Sequence, residues 1–134
     1  MSGPTVTKPH FLQPLLRRPA QALLRNTRSG KPVATVLETA LDSASRNRGL
    51  LGRDSLPAGH ALIIAPGSLV HTFAMRFDID ILFVARDGQV LKLRPSVPPR
   101  RIAGAIGSFA VIELAAGQLA MSDTRAGDVL EIET

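Results

Sequence analysis

Short apolar segments separated by turn residues make up most of this chain. Residues 33–37, 61–64, 69–73 and 109–114 are rich in aliphatic and β-branched side chains, and Gly or Pro residues lie between them. Segments of this length and spacing are typical of β-strands. Residues 129–132 mix apolar and polar side chains, which predicts a last, outer strand.

The clearest local prediction is a β-hairpin. Residues 79–85 and 89–93 flank the dipeptide Asp87-Gly88, whose glycine tolerates the positive φ of a tight turn. A short helix is predicted after the capping residue Asp42, ending at Gly49.

These elements together predict a mainly β fold. About seven strands and one or two short helices, the second within residues 115–123, favour a small β-sandwich or a partly closed barrel. No strand is followed by a full crossover helix in the predicted order, which argues against an α/β fold.

The first part of the chain has a different composition. Residues 1–32 contain five prolines and most of the excess positive charge, which predicts a basic, Pro-rich arm before a single β domain at 33–134. Leucines between the prolines leave open short amphipathic turns that lie on the domain, on a partner or on an anionic surface.

Composition narrows the function classes. The chain has no Cys, which excludes disulfides, thiol nucleophiles and thiolate metal sites. It has five Phe but no Trp or Tyr, so base stacking is a poor basis for specific nucleic-acid recognition, although the net charge is +5. No segment has the length of a membrane span or the pattern of a signal peptide, so we expect a cytoplasmic protein.

Asp80 is the unusual residue of the first hairpin strand. Because side chains alternate between the two faces of a strand, it shares a face with the apolar Leu82 and Val84. A carboxylate on such a face must be paired or lie at a rim, since burying it alone is costly. Arg76 is the expected partner, provided that the chain bends near residues 77 and 78.

A second hypothesis for this segment is catalytic. Asp78 and Asp80, about 7 Å apart along one strand face, would act as paired carboxylates with His71 as a base or metal ligand. A hard cation held by these aspartates and Glu113 is a variant of it, although no spacing in the sequence requires a metal. Met75 and Glu113 also have alternatives without a role in a site. Met75 would fill space in the core, and Glu113 would lie on the solvent side of a half-buried strand.

Five separated motifs resemble a known family. They are RGLLGR at residues 48–53, HTFAMRFDIDILF at 71–83, DGQV at 87–90, IELAAG at 112–117 and GD at 127–128. In this order they are similar to the uncharacterised bacterial and archaeal family called domain of unknown function 192. The resemblance covers about residues 33–133 and implies an all-β, sandwich-like fold with small helical insertions, and no established reaction.

The resemblance also marks recurrent positions as candidates for a site or for the fold. They are Gly49, Arg53, His71, Met75, Asp80, Glu113, Gly117 and Asp128. Many relatives carry an aromatic residue before the methionine and a lysine–asparagine pair after it, where this chain has Ala74, Arg76 and Phe77.

Three functions follow, of which we favour the first. It is a non-enzymatic β domain that binds a protein partner or a small polar ligand, zwitterionic or sugar-like, with no cofactor and no metal. Its ligand-binding candidates are His71, Met75, Arg76, Asp80, Glu113 and Arg53. The second is a metal-assisted hydrolase whose carboxylates and His71 converge within about 5 Å. The third is contact with nucleic acid or an anionic surface through the arm.

Overall fold

A computed structural model describes residues 8–134 of the chain, and within them the fold is mainly β. It contains ten strands and three short helices in these residues. The strands are β1 (Leu23–Asn26), β2 (Pro32–Ala34), β3 (Val36–Ala40), β4 (His60–Ile64), β5 (Leu69–His71), β6 (Ile79–Val84), β7 (Val90–Val97), β8 (Ile102–Gly104), β9 (Ala110–Ala115) and β10 (Leu130–Glu133). The helices are α1 (Gln13–Leu16), α2 (Ser43–Arg48) and α3 (Gln118–Met121).

The strands form three sheets. The central sheet has five strands in the order β3-β4-β9-β6-β7, and it is accompanied by a three-stranded sheet, β10-β1-β2, and a two-stranded ribbon, β5-β8. This confirms the mainly β class, and the sheets of the described residues form no closed barrel. The strand count exceeds the expected seven because residues 33–37 divide between β2 and β3 and because β1 and β8 were not predicted.

Both faces of the central sheet are covered. One face packs with β1, β2 and β10 in a cluster that we call the Leu82 core. The other packs with β8 and the segment after α2 in a cluster that we call the Phe83 core. All six side chains of β6 are buried. Ile79, Ile81 and Phe83 belong to the Phe83 core, and Leu82 and Val84 belong to the Leu82 core, as the period-2 pattern predicts.

The hairpin of β6 and β7 is confirmed, and its turn packs closely on another strand. Gly88 has a φ of +92°, its N–H donates to the carbonyl of Ala85, and its own carbonyl accepts from Leu130 of β10. A Cβ added at Gly88 would lie 2.3 Å from the Leu130 carbonyl oxygen. The turn therefore needs glycine both for its backbone conformation and for space.

Alanine substitutions at Gly88 and Gly127 should separate the requirement for a positive φ from the requirement for space. Gly127 has nearly the same φ, +91°, but an added Cβ would meet nothing within 4 Å. We expect Gly127→Ala to destabilise the fold by about 1 kcal/mol, the cost of a left-handed residue, and Gly88→Ala by about twice as much. Urea unfolding of both variants measures the difference, and equal losses would contradict the packing argument.

The connection around α2 differs in one respect from the prediction. Asp42 caps the helix by accepting a hydrogen bond from the Ser45 N–H, and Gly49 ends it, as expected. However, β3 and β4 pair in parallel, so α2 lies within a crossover connection of a kind that the sequence pattern did not indicate.

The N-terminal segment includes part of the β structure. Phe11 donates its N–H to the carbonyl of Arg86, and Leu12 and Leu24 are buried in the Leu82 core. Strand β1 then pairs with both β10 and β2. The proposed division of the chain at residue 32 stays a prediction, and β1 lies on the N-terminal side of it. None of the helices in residues 8–134 is long and apolar enough to cross a membrane.

Candidate functional site

Glu113 is a buried carboxylate in the middle strand of the central sheet. Its cross-strand neighbours are Leu62 on β4 and Ile81 on β6, and both belong to the Phe83 core. The residue is only 4 % exposed. The alternative in which Glu113 lies on the solvent side of its strand is therefore wrong, because the ribbon and the α2 region cover the face of the sheet on which it lies.

The Glu113 carboxyl is incompletely satisfied. Its Oε2 is buried and has no hydrogen-bond partner among the described residues. Burial raises the pKa of this carboxyl to about 7, and the positive charge of Arg53 opposes that rise. Near neutral pH the group therefore exists in both forms, and it can accept a hydrogen bond as a carboxylate or donate one as the acid.

A cleft of about 400 Å³ opens beside Glu113. The last turn of α2 and the residues after it contribute to the wall, and β5 and Met75 contribute to it as well. Apolar side chains such as Leu51 and Ile64 share this wall with Arg46, Arg48 and His71. The cleft thus combines one buried acid, several basic side chains and apolar surface.

Helix α2 places the two arginines. The Asp42 cap fixes where the helix begins, and Arg46 and Arg48 then fall in its last turn. A guanidinium hydrogen of Arg46 is donated to the carbonyl of Leu41, which orients this side chain. These arginines were not among the predicted site residues, although two basic residues just before a helix-ending glycine were a signal for them.

Two of the candidates from the 71–83 segment lie at the cleft. His71 ends β5 and is exposed, with its ring 5.6 Å from the ring of Phe73. Met75 is buried in the Phe83 core and also lines the cleft, so it serves both packing and the cleft wall.

The other basic candidates form ion pairs. Arg53 donates to Glu38 over 2.7 Å, beside an adjoining cleft that shares Arg48 with the first. Arg76 pairs with Asp54 over 2.6 Å, at the surface. The predicted Arg76–Asp80 pair is therefore wrong.

Asp80 is satisfied by backbone groups instead. Its Oδ1 accepts from the Ser96 N–H at 2.8 Å, and its Oδ2 accepts from the N–H groups of Gly117 at 3.1 Å and Leu119 at 2.9 Å. Ser96 lies at an irregularity in the β6–β7 pairing with a φ of +49°. Asp80 therefore holds a bulge of β7 and the start of α3 in place.

The geometry separates the carboxylates of the hydrolase hypothesis. Asp80 pairs across the sheet with Leu114 and shares its face, whereas the neighbouring Glu113 points to the opposite face. Asp78 is exposed. Within residues 8–134, no three His, Asp or Glu side chains are placed to hold a metal ion together. Of the four residues in the hydrolase hypothesis, Glu113 and His71 line the same cleft, and Asp78 and Asp80 do not.

Two larger clefts lie elsewhere. One of about 760 Å³ and one of about 950 Å³ are lined mainly by residues around α1 and by β10 and its neighbours. Neither includes a candidate site residue. The smaller cleft is the better candidate, because a buried acid without a full set of partners lies in its wall.

Comparisons with known proteins agree with the resemblance. The model of the family DUF192, described as "Uncharacterized ACR", matches residues 24–132. Of the positions that the resemblance marks, Gly49, His71, Met75 and Glu113 line the same cleft. No curated protein matches this chain.

Solved structures share the fold. A protein from Sinorhizobium meliloti 1021, described as a "putative transcription regulator", is 24% identical over 83% of this chain and 91% of its own, with a TM-score of 0.72. A protein of unknown function from Novosphingobium aromaticivorans DSM 12444 is 25% identical over 83% of each chain, with a TM-score of 0.71. A hypothetical protein from Synechocystis has a TM-score of 0.52 at 14% identity, and the match covers 84% of this chain but 18% of that one.

Proposed function

Because this chain belongs to the uncharacterised family DUF192, we propose its function from its own cleft: it is a binding domain for a small polar ligand. The ligand places a hydroxyl or ammonium group against Glu113 and an anionic or polar group against Arg46 and Arg48. The observation that carries the proposal is the buried Oε2 of Glu113, which has no partner among the described residues of its own chain.

Burial makes the unpartnered Glu113 oxygen costly to the free protein. Leaving a buried polar group without a hydrogen bond costs about 1–3 kcal/mol, and more when the group is charged. A ligand hydroxyl or ammonium group would supply the missing donor, so this cost becomes part of the binding free energy. The apolar wall formed by Leu51, Ile64 and Met75 would cover the carbon skeleton of the same ligand.

Binding is favoured over hydrolysis by the arrangement of the acids. A hydrolase of the type considered above needs a second carboxylate near Glu113, and Asp80 lies on the other face of the sheet. The cleft instead has one acid and a basic rim, which suits recognition of a ligand with charges of both signs or several hydroxyl groups.

A thermal-shift screen tests the proposal. The panel contains amino acids, amines, sugars, polyols and nucleotides, and the protein is the whole chain in wild-type, Glu113→Gln and Glu131→Gln forms. Glu131 is an exposed glutamate of β10 and serves as the matched control. We expect a ligand to raise the melting temperature of the wild type and of Glu131→Gln, since binding to the native state stabilises it, and to leave Glu113→Gln nearly unshifted.

The pH dependence of that shift identifies the donor. An ammonium group prefers the ionised carboxylate, so its affinity should rise as the pH passes through about 7, the pKa of Glu113. If no compound in the panel stabilises the protein, or if Glu113→Gln responds as the wild type does, the proposal fails.

A further inference from the structure

The outer face of the β5–β8 ribbon carries exposed aliphatic side chains beside His71, which pairs with Ile102. Val70 and Ala103 point inward and pack on the Phe83 core. Their neighbours Leu69 and Ile102 consequently point outward, and they are 69 % and 61 % exposed. Large aliphatic side chains on adjacent strands are thus turned to water.

The apolar surface extends to the turn that follows β8. The ribbon continues through the bond from the Ala105 N–H to the Ser68 carbonyl, and Gly107, with a φ of +84°, completes the turn. Between them Ile106 is fully exposed. We call Leu69, Ile102 and Ile106 together the Ile106 surface.

Several cations lie close to this surface in the sequence, and Lys92 reaches β8 in the fold. The stretch of sequence from 88 to 112 contains Lys92, Arg94, Arg100 and Arg101 and not one Asp or Glu. Lys92 and Arg94 pair with Phe83 and Ile81, so they lie on the same face of the central sheet as the ribbon. Lys92 also donates to the carbonyl of Gly104, which brings its charge to β8.

The two arginines adjoin the apolar residues directly. Arg101 precedes Ile102, and its carbonyl accepts the N–H of Thr72 while its own N–H donates to the Thr72 hydroxyl. These bonds hold Arg101 at the end of the ribbon. Arg100 and Arg101 are both exposed. Protruding aliphatic side chains with cations beside them match the boundary between headgroups and acyl chains of an anionic bilayer.

We propose that the Ile106 surface docks on an anionic lipid membrane. Ile106, Ile102 and Leu69 enter the interface, and the arginines bind the lipid phosphates. The surface borders the ligand cleft, since Leu69 also lines it. This proposal is independent of ligand binding by Glu113.

Co-sedimentation of the whole chain with vesicles tests the proposal. Phosphatidylglycerol vesicles supply the anionic surface and phosphatidylcholine vesicles the neutral one. The variants are Ile106→Ser and a double variant, Arg100→Gln with Arg101→Gln. Met121→Ser, at an exposed apolar residue of α3, is the control, and Arg17→Gln with Arg18→Gln tests the N-terminal segment.

We expect wild type and Met121→Ser to bind phosphatidylglycerol and not phosphatidylcholine. Ile106→Ser and the double arginine variant should each bind about tenfold or more weakly, and added salt should weaken the wild type. Unchanged melting temperatures will show that both variants are folded.

Three results would overturn the proposal. The first is no binding by the wild type. The second is loss of binding in the Arg17 and Arg18 variant with Ile106→Ser unaffected, which would assign the contact to the N-terminal segment. The third is a dimer in sedimentation equilibrium that Ile106→Ser dissociates, which would make the surface an interface between copies of this chain.

Discussion

Asp80→Ala is expected to lower the free energy of unfolding by about 4 kcal/mol. Asp80 is fully buried, and its carboxylate accepts the N–H groups of Ser96, Gly117 and Leu119. Removing the acceptor leaves these donors without a partner at a bulge and at a helix start, and each lost bond costs about 1–3 kcal/mol. In a chain of this size the melting temperature should fall by about 15 °C.

Two further variants serve as comparisons for Asp80→Ala. Asp78→Ala, at the exposed neighbour on the same chain segment, should change the free energy of unfolding by less than about 0.5 kcal/mol. Asp80→Asn keeps one acceptor oxygen and should fall between Asp80→Ala and the wild type. Wild-type stability in Asp80→Ala, measured by urea unfolding, would disprove the anchoring role of this carboxylate.

Glu113→Gln is expected to stabilise the protein at alkaline pH by about 3 kcal/mol, and to have little effect near pH 4.5. In the unfolded chain the carboxyl has its ordinary pKa of 4.5, and in the fold that pKa is about 7. The native state therefore binds more protons than the unfolded state between these two values. Wild-type stability consequently falls as the pH rises from 4.5 to 7 and stays low above 7.

The measurement is the difference in unfolding free energy between Glu113→Gln and the wild type from pH 4 to 8. Glutamine removes the titration and keeps the shape of the side chain. Glu131→Gln, at an exposed site, should give a difference that does not change with pH. A flat difference for Glu113→Gln as well would show that Glu113 is not buried without a partner.

The destabilising effect of Glu113 also bears on its role. Asp80 and Glu113 are both buried, but only Asp80 has a structural role that accounts for its burial. Glu113 lowers the stability at neutral pH, and its Oε2 has no partner among the described residues. Groups of this kind are concentrated at functional sites, where a ligand supplies the missing contact. The two predictions therefore separate a carboxylate that maintains the structure from one that is available for binding.

The sequence predicted local features well. The hairpin depends on Asp87-Gly88 and the strands beside it, and the helix depends on the Asp42 cap and Gly49, so both are determined by residues close together in the chain. The face of Asp80 also followed from strand alternation, which identified it as a residue that needs a partner.

Non-local partners were not predicted. The donors to Asp80 come from positions 16, 37 and 39 residues later in the chain, and they are backbone groups, which no pattern of side chains reveals. For Glu113, the sequence Val-Ile-Glu-Leu is compatible with a solvent-facing side chain. Only the pairing of distant segments showed that its strand is central and that both faces of the sheet are covered.

The pairing of β1 with β10 has a consequence for folding during synthesis. Leu23 lies opposite Glu133 and Asn26 opposite Leu130, so more than a hundred residues separate the first pair. The ribosome releases the N-terminal strand long before its partner exists, and long-range pairings form slowly. Until residues 130–133 emerge, β1 can pair only with β2, and its other edge stays open to association with other nascent chains. Because of the order of translation, aggregation competes with folding mainly while this small sheet is incomplete.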